Sequence, residues 1–461
     1  MKPIIVDFLD SSSDPLYIQL YKTIRDNILS GDMKEGEKLP SLRQLSRDLN
    51  ISITSTQLAY NQLLVEGYIV SKPQSGYYVA QVFSGDAHYP AKAPDSALLE
   101  EAFFAEKNPF IYDPDCFDFA KWKKCSSKVF NDYPELLLFE SDPQGESALR
   151  FEISKYVYSA RGVTCTPDQI VIGAGTQQIT SHLCRILAKT NINHVSLESP
   201  GYLPVQSTFR DHGFAISHIP VGAEGIEVPK LPINIPSAVY VSPSNQFPTG
   251  AVMPVGRRHQ LLKWAADNGS IIIEDDYDSE LRYFGKPVPP LQGLDKGNNV
   301  VYLGSFSSTL FAAVKISYMV LPAPMAEIFN QMKDQYTQTC SKSEQLTLAL
   351  FMENGHYYTG IRRLRNLYAQ KLALTLQTFN TFGDKRVSPV DSQSGINLTI
   401  KVKTKKTAQQ LCQEAKSIGL QMIPLSELID QETTSLIFYY SKLPLKQIEP
   451  LIKQLLSLWK D

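Results

Sequence analysis

Four short stretches of this chain end in residues able to grip a ligand. In QIVIGAGTQQIT, a β-prone run over Ile170 to Ile172 meets Gly173-Ala174-Gly175-Thr176 and then a helical pattern. Glycines leave backbone N–H groups bare at a helix start, an arrangement that suits a phosphate, although a tight turn explains the same residues. In AVYVSPSNQFPTG, a strand runs into Asn245, whose amide either meets a ligand or bonds its own loop. In SIIIEDDYDSELRYFG, three isoleucines read as a buried strand and are followed by Asp275 and Tyr277. Two residues apart in an extended chain point the same way, so a carboxylate and a phenol aim together. Asp278 and Glu280, in the same acidic run, read as solvated. In VVYLGSFSSTLFAAVKISYMVLP, a strand ends in Ser305, Ser307 and Ser308, with Lys315 seven residues beyond Ser308. Hydroxyls and an ammonium there can close on a phosphate, and a lone lysine is also a common surface residue.

These stretches need a frame that brings strand ends together. From about residue 106 onward, short β-rich runs alternate with helical ones, the pattern of a largely parallel sheet flanked by helices. Such sheets bind ligands at their carboxyl edge, where all four stretches end. The preceding 81–105 start with Gly, Ser, Pro and Ala, carry no clear strand pattern and read as a linker.

Residues 14–80 have a different texture. Leu16, Leu20, Ile24 and Ile28 recur every four residues on one helical face, and Gly31 stops that helix. Ser41 is placed to cap a second helix carrying Leu42, Leu45 and Leu49. Asn50-Ile51-Ser52 turns the chain into a third over Ile53 to Glu66, with Ala59, Leu63 and Leu64 inward. Tyr68-Ile69-Val70 and Tyr77-Tyr78-Val79 flank Pro73-Gln74-Ser75-Gly76 as a hairpin. Three helices, a tight turn and a hairpin describe a winged helix-turn-helix.

Composition narrows the function classes. With 461 residues, 45 Lys plus Arg against 47 Asp plus Glu and a net charge of −2, the chain cannot bind nucleic acid by overall basicity. Through residue 80, eight basic residues face nine acids. One such domain should therefore bind DNA weakly, and a dimer reading two half-sites is the natural way to regain affinity. No apolar run reaches the ~18 residues needed to span a bilayer, and the N-terminus lacks the features of a secretory signal. Six scattered cysteines without a C-x-x-C pair fit reduced thiols in the cytoplasm. Seven histidines without metal-ligand spacing offer no metal site.

The run GDMKEGEKLPSLRQLSRDLNISITSTQLAYNQLLVEGYIVSKPQSGYYVA resembles the GntR-type winged helix along its whole length, most specifically at Leu39-Pro40-Ser41…Arg43 and Glu66-Gly67-Tyr68. The resemblance implies that Arg43 contacts DNA, that Ser52, Thr54, Ser55 and Thr56 enter the major groove, and that the wing near Gly76 reaches the backbone of double-stranded DNA. Ile53 and Gln57 stand where that family usually carries Arg. The four strand-end stretches, in this order, resemble fold-type I pyridoxal-phosphate aminotransferases. Together the two halves resemble regulators of the MocR/GabR type over nearly the whole chain. The implied fold is an N-terminal winged helix-turn-helix (1–80), the linker, an α/β aminotransferase-like large domain (106–345) and a smaller C-terminal α+β subdomain (346–461), assembled as a homodimer.

For pyridoxal 5'-phosphate, the resemblance implies Asp275 at the pyridine nitrogen, Tyr277 and Asn245 at the ring hydroxyl, and Tyr202 stacked on the ring. Gly175, Thr176, Ser305 and Lys315 then surround the phosphate. The family pattern S-x-S-K, whose Lys forms the Schiff base, reads Ser305-Phe306-Ser307-Ser308 here. A hydroxyl cannot form that bond, and the same lysine normally shuttles the proton, so no catalytic residue is assigned and any cofactor is held without a covalent link. Lys315 stands where Arg is usual, Ala312 where Pro is usual, Ser317 where Gly is usual, and Ile437 about where aminotransferases place their substrate-carboxylate Arg. The resulting reading is a DNA-binding transcription regulator with a non-catalytic effector and dimerisation domain and an effector of unknown identity. The alternatives are a pyridoxal-phosphate aminotransferase with an accessory DNA-binding domain, and a scaffold that has lost both activities.

Overall fold

The computed structural model describes residues 4–6, 8, 14–81, 110–283, 288–295, 298–390, 395–425 and 433–460. Almost all of the linker read at 81–105 lies outside them. The chain forms two compact units, Met1–Lys107 and Asn108–Asp461.

In the first unit, α1 (Leu16–Leu29) buries Leu20, Ile24 and Ile28 and leaves Leu16 at the surface. The side chain of Ser41 accepts the Gln44 N–H and so caps α2 (Leu42–Asp48). Ser52 does the same for Ser55 at the start of α3 (Ile53–Val65). Strands β1 (Ile69–Lys72) and β2 (Gly76–Val79) pair antiparallel as the wing. Leu20, Ile24, Leu45, Ala59, Leu63 and Val79 meet in one apolar core.

The second unit is built on an eight-stranded mixed sheet. Its strands in chain order are β3 (Ile170–Ala174), β4 (His194–Ser199), β5 (Ala215–Gly222), β6 (Gly225–Ile226), β7 (Ala238–Val241), β8 (Ile271–Asp275), β9 (Val300–Ser305) and β10 (Ile316–Val320). Their order across the sheet is β3-β10-β9-β8-β7-β4-β5-β6. The central pairs are parallel, while β10 runs antiparallel between β3 and β9. Every residue of β7 and β10 is buried, as expected of strands covered on both faces. Gly304 in β9 is required by a cross-strand neighbour: a Cβ there would sit 2.3 Å from the Tyr318 ring.

Helices α4 (Phe119–Asp132), α5 (Ser147–Arg161), α6 (Thr176–Lys189), α7 (Leu203–Asp211), α8 (Val255–Asn268), α9 (Ala323–Met332) and α10 (Lys342–Glu353) accompany this sheet. The long α11 (His356–Phe382) leads to a second sheet of β11 (Val387–Pro389), β12 (Leu398–Lys403), β13 (Met422–Pro424) and β14 (Thr433–Phe438), ordered β11-β12-β14-β13. Helices α12 (Ala408–Ser417) and α13 (Ile448–Leu458) complete that lobe. The boundary expected after residue 345 falls inside α10. Leu348, Phe351 and Met352 of that helix bury with Leu149 and Ile153 of α5, whereas the C-terminal core begins with Leu364 and Tyr368 of α11. The chain enters this unit along the C-terminal lobe. Ile111 N–H donates to the Gly419 carbonyl, and the fully buried Lys371 ammonium pairs with Asp113 at 2.7 Å and donates to the Ser441 carbonyl.

Candidate ligand pocket and nucleic-acid surface

Strand register brings the predicted phosphate group together. Ile316 lies opposite Ala174, and Ser317 lies opposite both Gly173 and Ser305. Gly175 at the start of α6, Ser305 at the end of β9 and Lys315 just before β10 therefore share one corner of the sheet. Gly175 has φ +88 and open space where a Cβ would stand, and Thr176 is the first residue of α6. Ser317 donates its hydroxyl to Ser305 at 3.0 Å. Lys315 is exposed, in the left-handed region with φ +49.

Asp275 ends β8 two strands from β10. It is buried and accepts the Tyr240 hydroxyl at 2.5 Å. Burial pushes its carboxyl up to about 7, against the lowering effect of that hydrogen bond. Tyr202, immediately before α7, is 39% exposed and stands edge-on to Phe247. Burial, then the nearby Asp275 carboxylate, raises its hydroxyl. Asn245 donates from Nδ2 to the Tyr277 hydroxyl at 3.4 Å and to Asp278 at 2.8 Å. The Ser308 hydroxyl donates to the Tyr277 carbonyl at 3.2 Å. Beside Asn245, Tyr277 and Thr399 is a cavity of only about 20 Å³, the room of about one water. Thr399 pairs across the C-terminal sheet with the buried Ile437.

Neither Asp278 nor Glu280 is a simply solvated acid. Asp278 is buried against Asn245, and Glu280 accepts the Tyr156 hydroxyl at 2.5 Å. Their partners lie 33 and 124 residues away, so the polar run alone could not reveal them. Two further acids escaped sequence reasoning. Asp276 accepts Arg161 at 2.7 and 3.2 Å, the Tyr302 hydroxyl at 2.6 Å and the Ser279 hydroxyl at 2.8 Å. Burial opposes its charge, but Arg161 and those hydroxyls together hold its carboxyl below the ordinary range. Glu198, at the end of β4, accepts Ser242 N–H and the Gln246 amide, while its Oε1 is buried without a partner. Burial pushes its carboxyl up to about 8, so at neutral pH it is mostly a neutral acid. Nothing in the sequence marks Glu198, because Ser242 and Gln246 lie 44 and 48 residues away.

These residues fit pyridoxal 5'-phosphate by recognition alone. The first turn of α6, hydroxyls and a lysine gather at one corner of the sheet, while the Gly175 and Ala174 N–H groups are spent on the Gly173 carbonyl and the Thr339 hydroxyl. At a neighbouring strand end is the buried Asp275 carboxyl, for which the described residues supply no cation and which a protonated ring nitrogen would relieve. When bound, that group supplies an electron-withdrawing ring and an aldehyde. Among the described residues no cluster of His, Cys, Asp or Glu is arranged to hold a metal ion, and no helix is long and apolar enough to cross a membrane.

On the first unit, Arg43 and Thr54 are exposed, Ser55 is half-buried, and Gly76 opens β2 with φ +106. The exposed Ser52 spends its hydroxyl on the α3 cap, accepting Ser55 N–H at 3.0 Å. Thr56 is a correction to the groove set. It is fully buried, with its hydroxyl directed at the Ser52 carbonyl, because it lies on the core face of α3, one turn before Tyr60. Two cations not singled out from sequence flank the wing: Lys72 and Lys38 lie 4.5 and 5.8 Å from the Tyr78 ring centroid. The cross-strand pairing that gathers them is invisible in their sequence spacing.

Comparison with known proteins reproduces this division. Residues 16–79 match the model for bacterial regulatory proteins of the gntR family, and residues 122–432 match that for aminotransferase class I and II. The uncharacterized HTH-type transcriptional regulator YdeL of Bacillus subtilis is 38% identical, over 99% of both chains. The HTH-type pyridoxine biosynthesis transcriptional regulator PdxR of Corynebacterium glutamicum is 30% identical, over 81% of both. Among solved structures, kynurenine aminotransferase of Pyrococcus horikoshii aligns with a TM-score of 0.65 and 22% identity, covering 80% of this chain and 95% of its own. At that identity the likeness bears on the fold alone.

Proposed function

Since the chain belongs to the family of HTH-type transcriptional regulators in which a gntR-type domain precedes an aminotransferase class I and II domain, we propose that it is a cytoplasmic, dimeric DNA-binding regulator whose aminotransferase-like unit senses rather than catalyses. Ser308 carries this reading. It occupies the position at which the family motif places its covalent lysine, and its hydroxyl is engaged with the Tyr277 carbonyl. Without an amine there, the pocket has neither a covalent anchor nor the general base that is worth roughly 10²–10⁴ in rate. Pyridoxal 5'-phosphate is held by Asp275, Tyr277, Asn245 and Tyr202 at the ring and by Gly175, Thr176, Ser305 and Lys315 at the phosphate. With Ile437 in place of a guanidinium, that position offers an amino-acid carboxylate no charge partner.

The first unit reads duplex DNA through Arg43, Thr54, Ser55 and the Ser52 turn, with the wing at Gly76 on the backbone. The exposed Ile53, at 48%, favours a scaffold reading, whereas Arg43, Lys38 and Lys72 favour DNA.

The decisive experiment is an absorption titration with pyridoxal 5'-phosphate, with and without borohydride, on the parent and Ser308→Lys proteins. The parent should bind reversibly and leave no reduced adduct, and the variant should gain one on residue 308. A reduced adduct on Lys315 of the parent would overturn the non-covalent reading. Failure of the variant to bind at all would reduce the unit to a dimerisation scaffold.

A further inference from the structure

A second cavity, of about 190 Å³, opens between α5, the turn after β8 and the first turns of α11. Arg362 and Arg365 reach it from one face of α11, being spaced three apart. Arg282 joins them from the turn, and Arg365 is steadied by donating to the Arg282 carbonyl at 2.9 Å. Arg161 lines the inner wall, but its charge is already matched by Asp276. Among the described residues, neither Arg362 nor Arg365 has an acid within ion-pair distance. Glu280 is the acid in the lining. Its Oε1 accepts Tyr156, and its Oε2 is buried with no partner.

Two requirements follow. The Arg362 and Arg365 guanidiniums repel one another unless an anion sits between them, and their planar forks match the paired oxygens of phosphate or carboxylate. A buried acceptor without a partner is costly, so a ligand hydroxyl aimed at Glu280 Oε2 is favoured. The volume lies below the ~300–1,000 Å³ of sites for drug-sized molecules, which limits the ligand to a few heavy atoms.

We propose that this cavity is a second ligand site, separate from the pocket at the carboxyl edge of the sheet, for a small hydroxylated dianion whose charge sits on Arg362 and Arg365 and whose hydroxyl donates to Glu280. The chemistry is shared by a phosphate monoester and a hydroxy-dicarboxylate.

Calorimetric titration of the full chain with glycerol 3-phosphate, malate and inorganic phosphate, at ionic strength matched with sodium chloride, separates the possibilities. Glycerol 3-phosphate or malate should bind, and which of the two is tighter identifies the anionic group. Inorganic phosphate, lacking an alcohol hydroxyl held apart from the anionic oxygens, should bind more weakly than glycerol 3-phosphate. Arg362→Gln should weaken the preferred ligand at least about tenfold, the loss of a charge-assisted hydrogen bond. Arg362 is exposed and makes no internal hydrogen bond among the described residues, so this variant folds; Arg365→Gln is the second test. Binding at the Gly175 corner is distinguished because it persists in Arg362→Gln and falls in Lys315→Gln. Binding equal in the parent and both arginine variants, or no binding by either organic anion, overturns the proposal.

Discussion

Replacing Asp275 by Asn removes a charge that burial makes costly. The carboxyl moves from an ordinary 3.8 to about 7 on folding, chiefly through burial. An acid whose value is raised on folding keeps its proton longer in the native chain than in the unfolded one. Stability is therefore lost as pH climbs from about 4, and the loss is complete above about 7. About three pH units at 1.36 kcal/mol each give about 4 kcal/mol at pH 8 and a little under 2 kcal/mol at pH 5. Asn retains a carbonyl for the Tyr240 hydroxyl, so the variant loses the charge and keeps the contact. Asp275→Asn should thus be more stable than the parent, by a margin that widens by about 2–3 kcal/mol between pH 5 and pH 8. Glu198 is raised chiefly by burial, which both proteins share, so all of its titration cancels except the smaller part that the Asp275 charge contributes. Urea unfolding followed by tryptophan fluorescence is well suited, because Trp122, Trp264 and Trp459 all lie in the second unit. Margins that are equal at pH 5 and pH 8 would refute the reasoning. With saturating pyridoxal 5'-phosphate the margin should shrink at pH 8, since only the parent can pair a protonated ring nitrogen.

Arg43→Ala should weaken binding to the duplex and, where the contact is to phosphate, lower the slope of log affinity against log salt by about 0.9; an unchanged affinity in a salt-series gel-shift or anisotropy assay removes Arg43 from the interface. Asp276→Ala strands the Arg161 guanidinium in the interior and should cost about 3–5 kcal/mol, and a loss under about 1 kcal/mol by the same fluorescence assay would show that water reaches Arg161.

Sequence alone revealed the strand ends because each is marked by a change of residue type. β8 passes from three isoleucines to acids, and β3 passes from apolar residues to glycines. Strand order was less legible. β10 lies antiparallel between β3 and β9 although its sequence, ISYMV, looks like that of the parallel strands in the same sheet. That register is what puts Lys315 beside Gly175 and Ser305. The acids after β8 misled for a related reason. Hydrophilicity marks a solvated run only when no distant partner neutralises it, and Asp276 finds Arg161 across 115 residues. Thr56 was misassigned because the start of a recognition helix has a core face as well as a groove face, and α3 carries little amphipathic contrast by which to tell them apart.

The staple of Lys371 onto Asp113 and the Ser441 carbonyl, together with the Ile111–Gly419 bond, decides where the tether from the DNA-binding unit is moored. It is fastened to the C-terminal lobe and not to the central sheet. A swing of that lobe carries residues 111–113 with it. A fully buried ammonium shared by a carboxylate and a carbonyl is a stiff fastening. Residues 111–113 and the lobe therefore turn as one piece, and the entry point of the chain belongs mechanically to the lobe.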